Sequence, residues 1–232
     1  MYTQKPIKIA IDGPVGSGKG TLAIALTKRL NAFYVYTGAM YRELGIACLR
    51  GKIDIKNEDE VVRILNSINI ELKEADGNIK AFLNDEDVTH EIFQPHAGKA
   101  ASDVAVFPRV RKEMVLRQVK IAKEAIASGK SVVMEGRDIT TNVIPNADIK
   151  IYLTADIKAR AERRFKQFVD KGIKVNFDDV LKDLEKRDKK DTERIASPLR
   201  VAEDAVVIDT TNDSIDQTVD KVIKRLKEKN LI

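Results

Sequence analysis

The stretch IDGPVGSGKGT, from Ile11 to Thr21, has the residue types and the spacing of a loop that binds phosphate. The P-loop pattern is G-x-x-x-x-G-K-[ST], and Gly18 and Lys19 match its end. Gly20 then occupies the place of the hydroxyl residue, which comes one position later as Thr21. Glycines without a Cβ let successive backbone N–H groups converge on one anion, and the lysine adds a positive charge. We therefore expect this loop to hold phosphate groups.

The sequence on both sides of the loop supports this interpretation. Before it, apolar residues alternate as in a β-strand, and after it they recur at helical spacing (Leu22, Leu26 and Leu30). A helix that starts at the loop adds free N–H groups and the positive end of its dipole. The alternative is an ordinary glycine-rich turn, which leaves the agreement among lysine, glycine spacing, strand and helix unexplained.

The composition of the 232-residue chain, with 43% hydrophobic and 33% charged residues, is that of a soluble folded protein. No apolar run approaches the roughly 20 residues of a membrane-spanning helix, and the first strand leaves no room for a signal peptide. The only cysteine, Cys48, lies in a helical pattern and is expected to be buried. His90 and His96 have no cysteine partners at the spacing of a zinc site. These features favour a cytoplasmic protein that binds no membrane.

Most of the net charge of +5 comes from residues 156–200, which hold 14 Lys and Arg against 10 Asp and Glu. Such a segment suits either nucleic acid or a local polyphosphate site. Because acids are interleaved among the bases, we expect no nucleic-acid partner.

Five short apolar segments are predicted to be strands, and helical patterns separate most of them. This alternation is typical of an α/β fold with a five-stranded parallel sheet and helices on both faces. The predicted strands are Ile7–Asp12, Phe33–Tyr36, Ser131–Glu135, Asp148–Leu153 and Ala205–Asp209.

Residues 57–93 interrupt the alternation with an antiparallel pattern. Two alternating apolar segments flank Asp76 and Gly77, a dipeptide typical of a hairpin turn. A third short strand near Val88 would extend it. We therefore expect a small antiparallel insertion on the α/β core.

Helical patterns follow the insertion. They predict helices over Gly98–Phe107, Arg109–Ser128 and 156–171. Ser214 and Gln217 form a capping box that begins the last helix.

Six further motifs, taken in order, resemble those of bacterial cytidylate kinases. They are TGAMYR (37–42), SDVAVFPRVR (102–111), EGRDITT (135–141), RAERR (160–164), KRDKKDTER (186–194) and SPL (197–199). The Gly-Lys-Gly-Thr end of the loop is typical of nucleoside monophosphate kinases, and the antiparallel insertion resembles that of the family's long form. The resemblance runs from Ile7 to about Ile223.

The resemblance implies a P-loop kinase core formed by residues 1–36, 108–155 and 195–232. Residues 37–107 would form a nucleoside monophosphate-binding domain that carries the antiparallel insertion. Residues 156–194 would form a short helical lid.

The reaction that the resemblance implies is phosphoryl transfer from ATP to CMP or dCMP. It requires in-line positioning, charge neutralisation and exclusion of water. Mg²⁺ would bridge phosphate oxygens and meet the protein largely through water, with Thr21 and Glu135 as candidate contacts. The alternative for Glu135 is a solvated strand end. ATP would be bound by Gly13, Pro14, Val15, Gly16, Ser17, Gly18, Lys19, Gly20 and Thr21, with Lys19 also catalytic.

Arg160 and Arg164 are spaced i, i+4 on one face of a predicted helix. Alone, they would be better explained as a solvated basic face that pairs with Glu162 and Asp170. Together with the resemblance, they are predicted to close over the transferring phosphates as catalytic residues, joined by Arg187.

The acceptor nucleotide would be bound by residues far apart in the sequence. The planar fork of arginine suits phosphate oxygens, and by resemblance Arg42 and Arg137 bind the acceptor phosphate. Ser102, Arg111 and Asp138 match the cytosine-binding positions. An aspartate accepts a hydrogen bond from the amino group of cytosine, and an arginine donates to its ring acceptors.

Three more charged residues, Arg187, Asp191 and Arg194, match positions near the ribose and phosphate. Thr37 would either cap the helix that carries Arg42 or contact CMP. For each charged residue of the site, surface solvation or a local ion pair is the alternative. Thr140 stands where the family usually has glycine, so we expect its side chain to lie beside the acceptor pocket.

Two other functions remain as alternatives. One is a P-loop kinase for another small acceptor (AMP, UMP or shikimate), and the arginine, serine and aspartate that match cytosine-binding positions argue against it. The other is a nucleotide-dependent RNA-binding module, which would need an aromatic platform, whereas only 5% of the residues are aromatic and tryptophan is absent. The resemblance favours a monomer with small-molecule partners only.

Overall fold

The computed structural model describes residues 5–75 and 78–232. The strands are β1 (Lys8–Asp12), β2 (Phe33–Tyr36), β3 (Ile70–Ala75), β4 (Asn78–Leu83), β5 (Glu86–Asp87), β6 (Val132–Gly136), β7 (Ile149–Thr154) and β8 (Val206–Asp209). The helices are α1 (Lys19–Leu30), α2 (Thr37–Arg50), α3 (Glu58–Ser67), α4 (Thr89–Ile92), α5 (Pro95–Val104), α6 (Pro108–Ala127), α7 (Ile157–Asp170), α8 (Phe177–Glu193) and α9 (Ile215–Glu228). A short π-helical turn, which the sequence did not predict, spans Ile139–Val143.

Five parallel strands form the central sheet in the order β2-β6-β1-β7-β8, so the predicted α/β class is confirmed. Asp12 at the end of β1 lies opposite Gly136 on one side and Tyr152 on the other. The carboxyl ends of the strands therefore meet at one edge of the sheet. In α/β sheets this edge is where ligands bind, and here the loop that begins at Gly13 leaves the sheet from it.

Helices cover both faces of the sheet, and successive side chains of β1 are buried against opposite faces. Ile9 and Ile11 pack in one core cluster with α1 and α9. Ala10 packs in another cluster with α6 and the π-helical turn. A parallel strand that is apolar on both faces is the expected consequence of such a two-sided cover.

The small sheet β3-β4-β5 is antiparallel, as expected for the insertion. Ile70 pairs with Leu83, and the buried Ala81 and Leu83 pack against Ala39 and Ile46 of α2. The predicted turn at Asp76 and Gly77 lies outside the described residues.

The third strand, expected near Val88, covers Glu86–Asp87 directly before this buried residue, whereas the predicted bounds of the next helix are wrong. The helix predicted from Gly98 begins earlier, at Pro95, because proline is tolerated in the first turn of a helix. It ends at Val104, since Phe107 precedes a proline and is extended, with φ −77° and ψ 124°.

Helices α7 and α8 form a hairpin with a core of its own. Ala161 packs against Val180 and Leu184, and the rings of Phe165 and Phe177 meet edge to face at 6.0 Å. In the ranges that the structure describes, no helix is long and apolar enough to cross a membrane.

Candidate active site

A cavity of about 700 Å³ opens at the carboxyl edge of the central sheet. Its walls come from the loop after β1, from α2 and α5, from the end of β6, and from the α7–α8 hairpin. It brings together most of the residues that the sequence suggested: Val15, Gly16, Gly18, Lys19, Gly20, Thr21, Thr37, Arg42, Ser102, Arg111, Glu135, Arg137, Asp138, Arg164, Arg187, Asp191 and Arg194. Gly13, Pro14, Ser17 and Arg160 are not among the residues that line it.

Close packing explains two glycines of the loop. Gly13 has φ +151°, and a Cβ there would lie 2.1 Å from the carbonyl oxygen of Leu153, so the chain can leave β1 only at a glycine. At Gly20 a Cβ would lie 3.0 Å from Oε1 of Glu135. A side chain in the usual hydroxyl position would therefore press on this carboxylate.

Lys19 is buried, and its Nζ donates to the carbonyl oxygen of Pro14 at 2.7 Å. Burial, reinforced by the guanidinium of Arg137, lowers the pKa of Lys19 to about 7. Its ammonium group thus lacks enough negative charge nearby for full stabilisation. A polyphosphate would supply that charge and restore the protonated form.

Glu135 lies at the end of β6 and is buried. Its Oε1 accepts a hydrogen bond from the Tyr34 hydroxyl at 2.5 Å. Among the described residues no group of three or more His, Cys, Asp and Glu could hold a metal ion. The carboxylate of Glu135 and the hydroxyl of Thr21 are nevertheless oxygen donors of the kind Mg²⁺ prefers when phosphates and water complete its shell.

Asp138 and Arg111 form a buried ion pair, with 2.6 Å between Oδ1 and Nη2. The pair lines the cavity. Oδ2 of Asp138 and Nε of Arg111 are also buried, and neither finds a hydrogen-bond partner in the described part of the chain. Unpaired buried polar atoms are costly in a folded protein, so this pair has the character of a ligand site.

Arginines concentrate around Asp191. This carboxylate accepts from Arg137 at 2.7 Å and lies 3.5 Å from Arg194. Burial opposes its ionisation, but the neighbouring guanidinium groups outweigh burial and lower the pKa of Asp191. Burial and the charge of Arg137 lower the pKa of Arg187 to about 10, and its Nε has no partner in the described ranges. The excess of guanidinium groups suits a phosphate.

The two arginines of α7 that were predicted to be catalytic have different surroundings. Arg164 lines the cavity, and its guanidinium lies 4.3 Å from the ring centre of Phe168. Arg160 is buried beneath the loop, where it donates to the carbonyl of Val15 at 3.1 Å and pairs with Asp188 at 2.7 Å. In this structure Arg160 joins the α7–α8 hairpin to the loop rather than facing the cavity.

Of the two roles considered for Thr37, capping of α2 is excluded, because Thr37 is the first residue of the helix and its hydroxyl donates to the carbonyl oxygen of Glu135 at 2.6 Å. Its contact with CMP stays a prediction. The side chain of Thr140 does not line the cavity but is buried, with its hydroxyl 2.6 Å from Oδ2 of Asp12. A buried carboxylate that needs donors attracts the hydroxyl away from the pocket.

Several residues of the cavity wall were not predicted from the sequence. Tyr36 stacks on Phe93 with 6.4 Å between ring centres, and Nζ of Lys171 lies 4.8 Å from the Phe93 ring. Tyr41 and Gln167 also line this space. Tyr41 could have been found, since it lies inside the TGAMYR motif; Phe93 stands in no motif.

A second cavity, of about 170 Å³, lies on the other side of the phosphate loop. It is lined by Ser17, Thr21, Arg163, Thr210 and Asp213, among others. Nη1 of Arg163 donates to the Thr210 hydroxyl at 3.0 Å, so α7 also contacts the loop after β8.

The fold and the cavity together define a kinase of nucleoside monophosphates built on a P-loop core. Comparison with known proteins is more specific. The chain belongs to the cytidylate kinase family, whose model matches residues 9–228.

Two relatives and one solved structure illustrate the likeness. The chain is 44% identical over 220 residues to the cytidylate kinase of Caldicellulosiruptor bescii, covering 95% of each protein. It is 40% identical over 229 residues to that of Vibrio vulnificus, covering 99% of each. An uncharacterized protein from Eubacterium ventriosum, 16% identical, has a TM-score of 0.52 over 97% of this chain and 99% of its own, which shows a shared fold.

Proposed function

We propose that the protein transfers a phosphoryl group from ATP to CMP and dCMP, giving ADP and the cytidine diphosphate. The observation that carries this proposal is the Arg111–Asp138 pair, buried in the cavity with one polar atom on each partner that finds no hydrogen-bond partner among the described residues. Family membership supports the same reaction.

The pair suits cytosine. Oδ2 of Asp138 is free to accept from the exocyclic amino group, and the guanidinium of Arg111 can donate to the ring nitrogen and carbonyl. Uracil presents a carbonyl where cytosine has its amino group, so it would leave the carboxylate opposed by another acceptor. Ser102 lines the same part of the cavity as a further polar contact.

The phosphate of the acceptor would bind between Arg42, Arg137 and Arg187, with Arg194 completing the set through its contact with Asp191. Arg164 approaches from the lid and would answer the charge that develops during transfer. The buried Arg160 would act by keeping the lid hairpin and the loop together. Closure of the lid would exclude water, so that the phosphoryl group reaches the acceptor and not the solvent.

ATP would bind with its phosphates on the loop and Lys19, and its base in the second cavity beside Arg163. Mg²⁺, when bound, neutralises phosphate charge and aligns the phosphate oxygens for transfer. Thr21 and Glu135 would hold it directly or through water. Tyr34 fixes the Glu135 carboxylate for this purpose.

The proposed partners are small molecules only. Acids interleaved with bases argue against nucleic acid, and a single buried cysteine suits the cytoplasm, where ATP and CMP are available. The family resemblance supports a monomer.

The test is an acceptor panel. Release of ADP is measured with ATP and Mg²⁺ in the presence of each ribo- and deoxyribonucleoside monophosphate and of shikimate. We expect CMP and dCMP to have the highest kcat/KM. Preferred turnover of AMP, UMP or shikimate, or ADP release that does not depend on an acceptor, would refute the proposal.

A further inference from the structure

The buried carboxylate of Asp12 joins the end of β1 to the π-helical turn that follows Asp138. Asp12 is fully buried at the end of β1, one residue before the loop that holds phosphate. Its Oδ1 accepts from the backbone N–H of Ile139 at 2.9 Å, and its Oδ2 from the N–H of Thr140 at 2.8 Å. The third bond, at 2.6 Å to Oδ2, comes from the hydroxyl of Thr140.

These hydrogen bonds to Asp12 take the place of a local cap by the side chain of Asp138. Asp138 is the N-cap of the π-helical turn, and an aspartate there commonly accepts from the first free N–H groups of its own turn. Its side chain makes no such bond. Those N–H groups donate instead to the carboxylate of Asp12 at the end of β1, 127 positions before Ile139 in the sequence. The carboxylate of Asp138 is thus left for Arg111 and the cavity.

Thr140 donates two of the three hydrogen bonds that hold the Asp12 carboxylate against the turn. Burial raises the pKa of Asp12, whereas the hydrogen bonds from Thr140 and Ile139 act in the opposite direction. A glycine, the usual family residue at position 140, could donate only its backbone N–H. In this chain the hydroxyl adds a third donor to a carboxylate that water does not reach.

We propose that Asp12 and Thr140 are positioning residues for the acceptor base: by capping the turn after Asp138, they keep the Asp138 carboxylate turned to the base. This inference rests on the proposed reading of cytosine by Asp138. If Asp12 no longer accepts hydrogen bonds from the turn, the Asp138 carboxylate can accept from the free N–H groups of that turn. The base then loses its hydrogen-bond acceptor. The consequence is a loss of selectivity between CMP and UMP rather than a uniform loss of rate.

The test compares Thr140→Val, which keeps the volume without the hydroxyl, with Thr140→Ser, which keeps the hydroxyl. Thr140→Ala is a second hydroxyl-free variant, and Asp12→Asn alters the acceptor itself. The matched control is Ser131→Ala, which removes the hydroxyl bonded to the N–H of Ile7 just before the opposite end of β1. For each protein, kcat/KM is measured with CMP and with UMP, alongside the melting temperature.

We expect Thr140→Val and Thr140→Ala to lower the CMP/UMP ratio by about fivefold, corresponding to one hydrogen bond. Asp12→Asn should lower it further, and Thr140→Ser and Ser131→Ala should keep the wild-type ratio. An unchanged ratio in Thr140→Val and Thr140→Ala, or an equal loss in Thr140→Ser, would overturn the inference even if melting temperatures fall. A wild-type protein without preference for CMP would overturn the proposed function as well, which separates the two failures.

Discussion

Replacing Asp138 by asparagine tests the reading of the acceptor base with the least change in shape. Asp138 is only 4% exposed, so the amide must fit the space of the carboxylate. Two properties change together. The ion pair with Arg111, 2.6 Å long, loses its negative partner, and one of the two oxygens becomes a donor.

The two effects separate when acceptors are compared. Loss of the ion pair weakens every acceptor alike, because Arg111 is left without a counter-ion whichever base is bound. Reversal of one hydrogen bond affects the bases oppositely: cytosine's amino group then faces a donor, and uracil's carbonyl gains one. A mismatch of this kind costs about 1–3 kcal/mol, so the CMP/UMP ratio should fall roughly ten- to hundredfold.

The assay is kcat/KM for CMP and UMP, from ADP release with ATP and Mg²⁺, in wild type, Asp138→Asn and Asp138→Ala. Asp138→Ala should lose CMP activity without a relative gain for UMP. The matched control is Asp191→Asn, which also removes a buried acid from a pair with an arginine, Arg137. It should lower both activities by a similar factor.

A folded Asp138→Asn protein with the wild-type CMP/UMP ratio would refute the reasoning. Asp138 would then serve only to hold Arg111, and selectivity would have to come from Arg111 and Ser102.

Three further predictions concern the phosphate loop, a buried acid and the lid. Lys19→Met should fold, since among the described residues Nζ donates only to the backbone carbonyl of Pro14, but its turnover should fall at least about a hundredfold. A near-native kcat would contradict the assignment. Glu43 is fully buried, and burial raises its pKa from 4.5 to about 9. The raised pKa of Glu43 therefore leaves the free energy of unfolding undiminished below pH 4.5. As the pH rises towards 9, the free energy of unfolding falls by roughly 1 kcal/mol per pH unit. Glu43→Gln should flatten this slope in urea unfolding between pH 6 and 9, and an equal slope in both proteins would refute it. Arg164→Ala should lower kcat far more than it raises the KM for CMP, because its charge acts mainly in the transition state; a change confined to KM would place Arg164 in binding only.

Local patterns were enough to predict the sheet and the phosphate loop. The strand Phe33–Tyr36 has the predicted bounds, and the other four strands of the central sheet differ by one residue at their ends. Alternation of apolar residues and the need for backbone conformations open to glycine are properties of neighbouring residues. They can therefore be predicted from the amino-acid sequence.

Family motifs, by contrast, indicated which residues belong to the site but not what each one touches. Arg160 and Arg164 are one turn apart, yet the first is buried against Val15 and the second lines the cavity. Helical spacing defines a shared face, but packing of α7 on the loop decides how deep each side chain lies.

The sequence alone determined the parallel α/β core, the phosphate loop and the resemblance to cytidylate kinases, because each depends on short-range spacing or on motifs. Only the tertiary structure decided that Asp12 caps the turn at Ile139 and Thr140, and that one oxygen of Asp138 has no partner within residues 5–75 and 78–232. These contacts join residues more than a hundred positions apart. They depend on the register in which β1 lies beside β6, and no local pattern in the chain encodes that register.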